Sequence, residues 1–348
     1  MKVGIVGAGA IARRGHLPTY SAIPDVEVVG IADVDEHLAK QVAQEFKIPK
    51  FFSGCEELLK DDSIELVDIC TPPDTHLDIV KSAAGRGKHT LVEKPLATSL
   101  NDALEIQKVV KKSGTKLCVV QNYRYFPAVA AAKERISNGY LGNIVTIHGL
   151  GLMSFATRWT RSTWLYHQGG VLYDFGPHII DMVLWLKDFS PVKSVYASGG
   201  DFTQGHMDFV NYVVIVVEFE DGSIATADVS WVTAMVGKFT LDIHGTGGSI
   251  FLDVRNDVLS EIHGFPTPFD DVRYFLKKMW RVGTGVITGN YFKGVFLGYR
   301  PLILGFLRSI NGEGQIPVPV EQAVMTTAVL EAAEESLRQK KPFSFQRL

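Results

Sequence analysis

The 348-residue sequence predicts two domains of different class. The first is an α/β domain on a parallel sheet, and the second an α+β domain on a large, mainly antiparallel sheet. Three observations carry this. An apolar run at 2–6 breaks into Gly7-Ala8-Gly9 and then turns apolar again; strand-like and helix-like runs alternate as far as residue 122; beyond residue 143, apolar runs follow one another across short turns. The length suits two domains, and 46% apolar with 21% charged residues is a globular composition. A formal net charge of −3 offers nucleic acid no global attraction, so none is expected as a partner. No uncharged apolar run reaches the ~18 residues that a membrane-spanning helix needs. Cys55, Cys70 and Cys118 are too few and too scattered for a disulfide framework or a zinc site. No metal is therefore expected, and a reducing cytoplasm is.

The first strand and turn have a chemical reading of their own. Gly7 permits a tight turn, Gly9 lets backbone approach a pyrophosphate, and Ala12 is small enough for close packing of helix on strand. Unpaired amides at the start of the helix, from Ala10 and Ile11 onward, favour an anion there. The next strand, 26–32, ends in Asp33, about 20 residues past the turn, where a carboxylate can bind the adenosine ribose hydroxyls. Together these describe a dinucleotide site on a Rossmann sheet. Asp33 would repel a 2′-phosphate and Val34-Asp35 supply no arginine to receive one, so NAD is expected in preference to NADP.

The remaining elements of the first domain follow in order. Residues 36–46 have apolar positions at helical spacing, 50–52 form a short strand, 55–59 a helix, and 64–70 a buried parallel strand closed by Thr71-Pro72-Pro73. Then come a helix at 75–86, a strand at 89–92 running into Glu93-Lys94-Pro95, a helix at 99–112 with Ser99 as N-cap, and a strand at 117–121. Ligands of such sheets bind outside the carboxyl ends of the strands. That rule selects Thr71, Pro72, Glu93, Lys94 and Asn122, with His76 nearby. A lysine at a strand end is more often a solvated charge, but Pro95 restricts Lys94 to extended backbone, as a rigidly held reacting group requires.

The second domain opens with a helix at 128–136. Six strand-like runs follow at 144–152, 192–198, 209–219, 224–232, 239–244 and 250–254, with hairpin turns at Glu220-Asp221-Gly222-Ser223 and Gly245-Thr246-Gly247-Gly248-Ser249. Between the first two lies Gly169-Gly170-Val171-Leu172-Tyr173-Asp174-Phe175-Gly176-Pro177-His178, continuing as an apolar helix. Asp174 and His178 are four apart, so on a helical turn they share a face where the carboxylate can orient the imidazole. Pro177 places the start of the regular helix near itself. Arg124, Arg161, Trp164 and Arg300 are candidate substrate contacts.

With Gly7-x-Gly9-x-x-Ala12, Cys70-Thr71-Pro72-Pro73-Asp74-Thr75-His76, Glu93-Lys94-Pro95 and Gly169-Gly170-x-x-x-Asp174-x-x-x-His178 in this order, the chain resembles the glucose–fructose oxidoreductase and inositol dehydrogenase (Gfo/Idh/MocA) family over nearly its whole length. The resemblance implies a Rossmann domain at 1–122 and a substrate and oligomerisation domain at 123–348. It implies that Lys94 sits by nicotinamide and substrate, that His178 with Asp174 supplies acid/base chemistry, and that Lys94-Pro95 is cis. The implied reaction is hydride transfer between NAD and a secondary carbinol or ketone of a sugar, polyol or nucleotide sugar. Two alternatives stand beside it: a glycosidase that uses transient oxidation by NAD, and a non-catalytic nucleotide sensor.

The sequence departs from the family between about 257 and 297, where an insertion is expected. From Val272 to Arg308 it carries Arg273, Lys277, Lys278, Arg281, Lys293, Arg300 and Arg308, no acidic residue, and many interleaved aromatic residues. Such a stretch is a local anion attractor that should pack against something. Its roles are a subunit contact, a crevice wall holding an anionic handle, or, third, a membrane-surface segment. Residues 209–217 are apolar on both faces of a strand, which predicts a homo-oligomer, a dimer or tetramer, on the second domain's sheet.

Overall fold

The computed structural model describes residues 1–154, 169–203, 209–233, 237–264, 267–287 and 296–345. The chain divides into two compact units, one of Met1–Asn122 with Gly298–Thr327, the other of Tyr123–Leu297 with Ala328–Leu348. Residues 298–327, which the sequence reading kept with the second half, group with the first.

In the first unit β1 (Lys2–Val6), β2 (Glu27–Ala32), β3 (Lys50–Phe52), β4 (Leu66–Ile69), β5 (His89–Val92) and β6 (Leu117–Val119) form a six-stranded sheet in the order 3-2-1-4-5-6. Every pairing is parallel. The strands are apolar on both faces because helices cover both. The helices include α1 (Leu17–Ser21), α2 (Glu36–Phe46), α3 (Cys55–Leu59), α4 (His76–Ala84) and α5 (Leu100–Ser113). Before α1, Ala12–His16 winds as a wider π-helical turn, an interruption that regular helix periodicity does not foretell. Pro18 follows it and has no N–H to give the carbonyl of Arg14. Ser99 caps α5 as expected, its hydroxyl accepting the Asp102 amide at 3.1 Å.

The register places the site. Val6 pairs with Ala32 and with Ile69, Ile69 with Val92, and Val92 with Val119, so five strands end level. The order of strands reverses at β1, with β2 on one side and β4 on the other, which is where such sheets open a ligand crevice.

The second unit is built on eight strands: β7 (Ile144–Leu152), β8 (Val192–Gly200), β9 (Tyr212–Phe219), β10 (Ile224–Ser230), β11 (Lys238–Gly245), β12 (Ser249–Asp253), β13 (Val258–Ile262) and β14 (Phe343–Ser344). Their order is 13-12-11-7-10-9-8-14. Among the described residues all pairings are antiparallel except β7 with β10, which lie in the same direction with the β8–β9 meander between them in the chain. Six strands were expected. β13 was missed because it lies at the start of the segment read as an insertion, and it pairs with β12 as an ordinary strand of the sheet. β14 is two residues long, too short for a period to show.

Helices α6 (Pro127–Ser137), α7 (Val171–Asp174) and α8 (Gly176–Leu186) belong to this unit. A Cβ on Gly149 of β7 would come within 2.4 Å of Ile179, so a glycine there lets α8 lie close on the sheet. β9 alternates half-buried and buried positions, so one face is covered and the other, with Val214 and Val216, is open. The unit also contains α9 (Pro268–Ile287); α10 (Tyr299–Ile310) packs in the first unit, and α11 (Val320–Gln339) passes from first to second. Among the described residues no helix is long and apolar enough to cross a membrane.

Candidate active site

The level strand ends of the first unit bring the predicted cofactor residues into one row. Gly7 has φ +98°, and a Cβ there would meet the Cys70 carbonyl oxygen at 2.7 Å, so the turn admits only glycine. At Gly9, in contrast, a Cβ would meet no protein atom within 4 Å. Among the described residues nothing requires Gly9 to be small, which fits a turn shaped for a phosphate group outside the chain. Ala10 is exposed and Ile11 half-buried, while Ala12 is buried. Asp33 accepts the Ala8 amide at 2.7 Å through Oδ2 and the Asp35 amide at 2.9 Å through Oδ1. Its carboxylate is thereby tied to the glycine turn, with lone pairs left for ribose hydroxyls.

Further along the row, Thr71 and Pro72 are half-buried at the end of β4. His76 is wholly buried, and its ring nitrogens face the carbonyl oxygens of Leu96 (3.1 Å) and Thr71 (3.0 Å). It joins two of the site's loops from inside, a support for the cofactor end instead of a surface of it. Burial pulls its pKa below the ordinary histidine value. Asn122 is buried. Lys94 is half-buried after β5, and the Lys94-Pro95 bond is cis, as the resemblance implied.

Glu93, expected at the cofactor, turns inward. Its Oε1 meets His16 Nε2 at 2.8 Å and accepts the Tyr299 hydroxyl at 2.9 Å, while Oε2 accepts the Lys94 amide at 3.1 Å. The other His16 nitrogen, Nδ1, lies 2.7 Å from Asp68 Oδ2. This buried group of His16, Asp68, Glu93 and Tyr299 escaped the sequence reading. Its one local signal was Asp68, a carboxylate inside the apolar strand β4, which burial obliges to find a partner.

In the second unit Asp174 ends α7 and His178 lies in the first turn of α8, which starts at Gly176 with Pro177 behind it, as Pro177 predicted. Asp174 Oδ2 accepts the Trp231 indole N–H at 3.1 Å. The His178 ring packs edge-on against Tyr123 at 4.4 Å and against Phe239 at 6.2 Å. Burial, with Asp174 adding to it, pushes the Tyr123 phenol well above its ordinary range, so it stays a neutral O–H. Tyr123 and Trp231 are thus neighbours of the Asp174/His178 pair that no sequence spacing revealed.

Arg124 is a correction. It is 1% exposed, and Nε and Nη2 grip Asp181 at 2.7 and 2.6 Å while the guanidinium lies over the rings of Trp185 and Phe189. A cation so enclosed holds α8 in place instead of meeting a substrate. Arg161 and Trp164 lie outside the described residues. Arg300 is exposed on α10. In the basic segment Lys278 pairs with Asp253 at 2.6 Å and Arg281 with Asp257, so both charges are spent on the unit's own acids.

Two family models match the chain: an oxidoreductase family with an NAD-binding Rossmann fold over residues 1–121, and the GFO/IDH/MocA C-terminal domain over residues 129–251. The chain is similar to the uncharacterised oxidoreductase YrbE of Bacillus subtilis (strain 168), 26% identical over 99% of this chain and 96% of that one. It is also similar to the levoglucosan dehydrogenase of Pseudarthrobacter phenanthrenivorans (strain DSM 18606 / JCM 16027 / LMG 23796 / Sphe3), 29% identical over 74% of this chain and 75% of the other. In fold it matches the WlbA dehydrogenase of Bordetella pertussis, solved with NADH and UDP-GlcNAcA, with TM-score 0.84 and 20% identity over 100% of this chain and 98% of that one. The glycine turn with its tethered aspartate, the level row of strand ends and the two matched domains agree: the chain is an NAD-dependent oxidoreductase acting on CH–OH groups and belongs to the Gfo/Idh/MocA family.

Proposed function

We propose that the protein moves a hydride between NAD and a secondary carbinol of a sugar, polyol or nucleotide sugar, with Lys94 or His178 taking the hydroxyl proton and Asp174 partnering the histidine. The observation that carries this is Lys94, held on rigid backbone at the end of β5, level with the glycine turn and Asp33. Amides of residues 9–11 would hold the pyrophosphate and Asp33 the adenosine ribose, with NAD preferred to NADP. When bound, NAD supplies the hydride acceptor. The protein's part is to orient the carbinol and to receive its proton, at the Lys94 amine or the His178 ring.

The substrate class rests on relatives. One is named for levoglucosan, and a fold neighbour was solved with a nucleotide sugar. Arg300, exposed on α10, is the remaining candidate cation for an anionic handle. A panel of sugars, polyols, sugar phosphates and nucleotide sugars tests the reading, scored for net NADH. Accumulation supports it. Glycoside cleavage that needs NAD yet yields no net NADH would establish the glycosidase alternative, and NAD binding without turnover the sensor.

The working form is proposed to be a homo-oligomer in which a second copy covers the second unit's open faces. α9 pairs Lys278 and Arg281 with the unit's own acids and leaves large apolar side chains outward: Phe269, Phe275, Leu276, Met279 and Trp280 are all more than half exposed. Side chains of this size present on the order of 1,000 Å², comparable with the ~800 Å² per partner of a stable interface. A monomeric mass by light scattering at micromolar concentration would contradict this. The three free cysteines favour a reducing compartment, in line with a cytoplasmic protein.

A further inference from the structure

His16 is the best-connected buried side chain that the proposed reaction does not use. It ends the π turn that follows the glycine turn, and its ring is wholly buried. Both ring nitrogens face carboxylate oxygens, Nδ1 on Asp68 and Nε2 on Glu93. Two acceptors need two N–H donors, and a neutral ring has only one. Glu93 is held as a carboxylate, since its Oε1 also accepts from Tyr299 and its Oε2 from the Lys94 amide, and hydrogen bonds donated to the ionised form favour it. Asp68 Oδ1 faces the Cys70 thiol at 3.7 Å. The geometry therefore calls for an imidazolium between two carboxylates. Burial opposes that charge, but Asp68 and the adjoining Cys70 together more than offset it and hold the His16 pKa well above the ordinary value.

Further groups face this centre. Tyr20 of α1 lies against Asp68, and burial with that neighbour raises its phenol out of titration range. The Cys70 thiol is pushed up to about 12 by burial and by Asp68, so it is neutral. Burial also opposes the Glu93 carboxylate, but the His16 hydrogen bond, His16 and Lys94 charges and the Tyr299 hydrogen bond hold its pKa below the ordinary value. His16, Asp68 and Cys70 are close enough to share a metal ion. Both ring nitrogens of His16 are already committed to carboxylates, so protons hold this group together.

We propose that His16 is a positioning residue for Lys94: a buried imidazolium that, anchored on Asp68, keeps the Glu93 carboxylate facing the protein interior and so fixes both the backbone from which Lys94 projects and the electrostatic field in which its amine takes up a proton. The proposal rests on the reading of Lys94 as a reacting group, and it adds His16, Asp68 and Tyr299 behind it. Without the His16 cation, the Glu93 charge is unbalanced beside Lys94. The ammonium form of Lys94 is then favoured and the amine is harder to deprotonate.

The test is the pH dependence of Lys94 acylation by a small amine-reactive reagent, followed by peptide mass spectrometry, in the wild-type chain, His16→Gln and Tyr299→Phe. The expected result is a midpoint about one unit higher in His16→Gln, with a smaller shift of the same sign in Tyr299→Phe. NAD affinity should stay within about threefold, and kcat with a turned-over substrate should fall at least tenfold with KM little changed. Unmoved midpoints in both variants overturn the proposal. Should His16→Gln fail to fold, Tyr299→Phe decides alone. The chemistry at Lys94 is judged separately: a fully active Lys94→Ala would remove Lys94 as the reacting group, and leave His178, whatever the labelling shows.

Discussion

In the parallel sheet Gly7, Asp33, Cys70, Glu93 and Val120 each follow a strand that ends level with its neighbour, so one topological rule brings five loops into a row. The antiparallel sheet has no such edge. The pair proposed for its chemistry, Asp174 and His178, stands at a break between two helices and is held by side chains from distant segments, Trp231 after β10 and Tyr123 before α6. A parallel sheet thus concentrates function by backbone geometry, which tolerates change in side chains but not in turns. The second unit concentrates it by packing, which tolerates change in turns but not in the large side chains around the pair.

Substitutions can break this contrast, and the largest effects should fall on the two groups proposed to react. Lys94→Ala and His178→Ala should each lower kcat by ~10²–10⁴-fold. Wild-type turnover in both would end the acid/base assignment. Next is Arg124→Met, which strands Asp181 without its cation. A loss of about 3–5 kcal/mol in urea denaturation is expected, from an uncompensated buried charge, and the double change Arg124→Met with Asp181→Leu should recover much of it. A single variant as stable as wild type would show that Arg124 does not hold α8.

The two glycines of the turn sharpen the comparison on a smaller scale. Gly7→Ala forces a Cβ against the Cys70 carbonyl at positive φ and should cost about 1–3 kcal/mol of apoprotein stability. Gly9→Ala meets no protein atom, so the melting temperature of the apoprotein should hold while NAD binding weakens. Equal melting losses in the two would contradict the assignment of Gly9 to the ligand. The smallest effect is alkaline. A histidine with raised folded-state pKa stabilises fully below its unfolded value near 6.5, and that contribution is lost as pH rises through the raised value. Wild-type stability should therefore fall from neutral towards alkaline pH more steeply than that of His16→Gln, measured by melting temperature across that range.

What was legible in the sequence follows the same division. Gly7, Asp33 and Lys94 owe their places at the strand ends to their own backbone positions, so short motifs and one sheet rule sufficed to locate them there. Pro177 marked the start of α8 for the same local reason. Glu93 and Arg124 were selected by neighbourhood in the chain, yet both point inward, because a charged residue next to a site looks the same in sequence whether it meets a ligand or a buried partner. The buried groups they join did leave a trace. Asp68 in an apolar strand and Asp181 in an apolar helix are acids that burial compels to pair, but the partners lie 52 and 57 residues away, beyond any local period. In α9 the interleaving of basic and aromatic residues was visible, whereas the direction each would face was not: Asp253 and Asp257 draw Lys278 and Arg281 to themselves and leave large apolar side chains facing out.

The central claim is direct hydride transfer between a carbinol carbon and the nicotinamide bound along the level strand ends. It is tested most directly by supplying NAD and a panel sugar deuterated at its carbinol carbons, then weighing the NADH formed. The account predicts NADH heavier by one deuterium from wild type and none above background from Lys94→Ala. Unlabelled NADH from wild type, or sugar consumed with its deuterium lost to water, would contradict it.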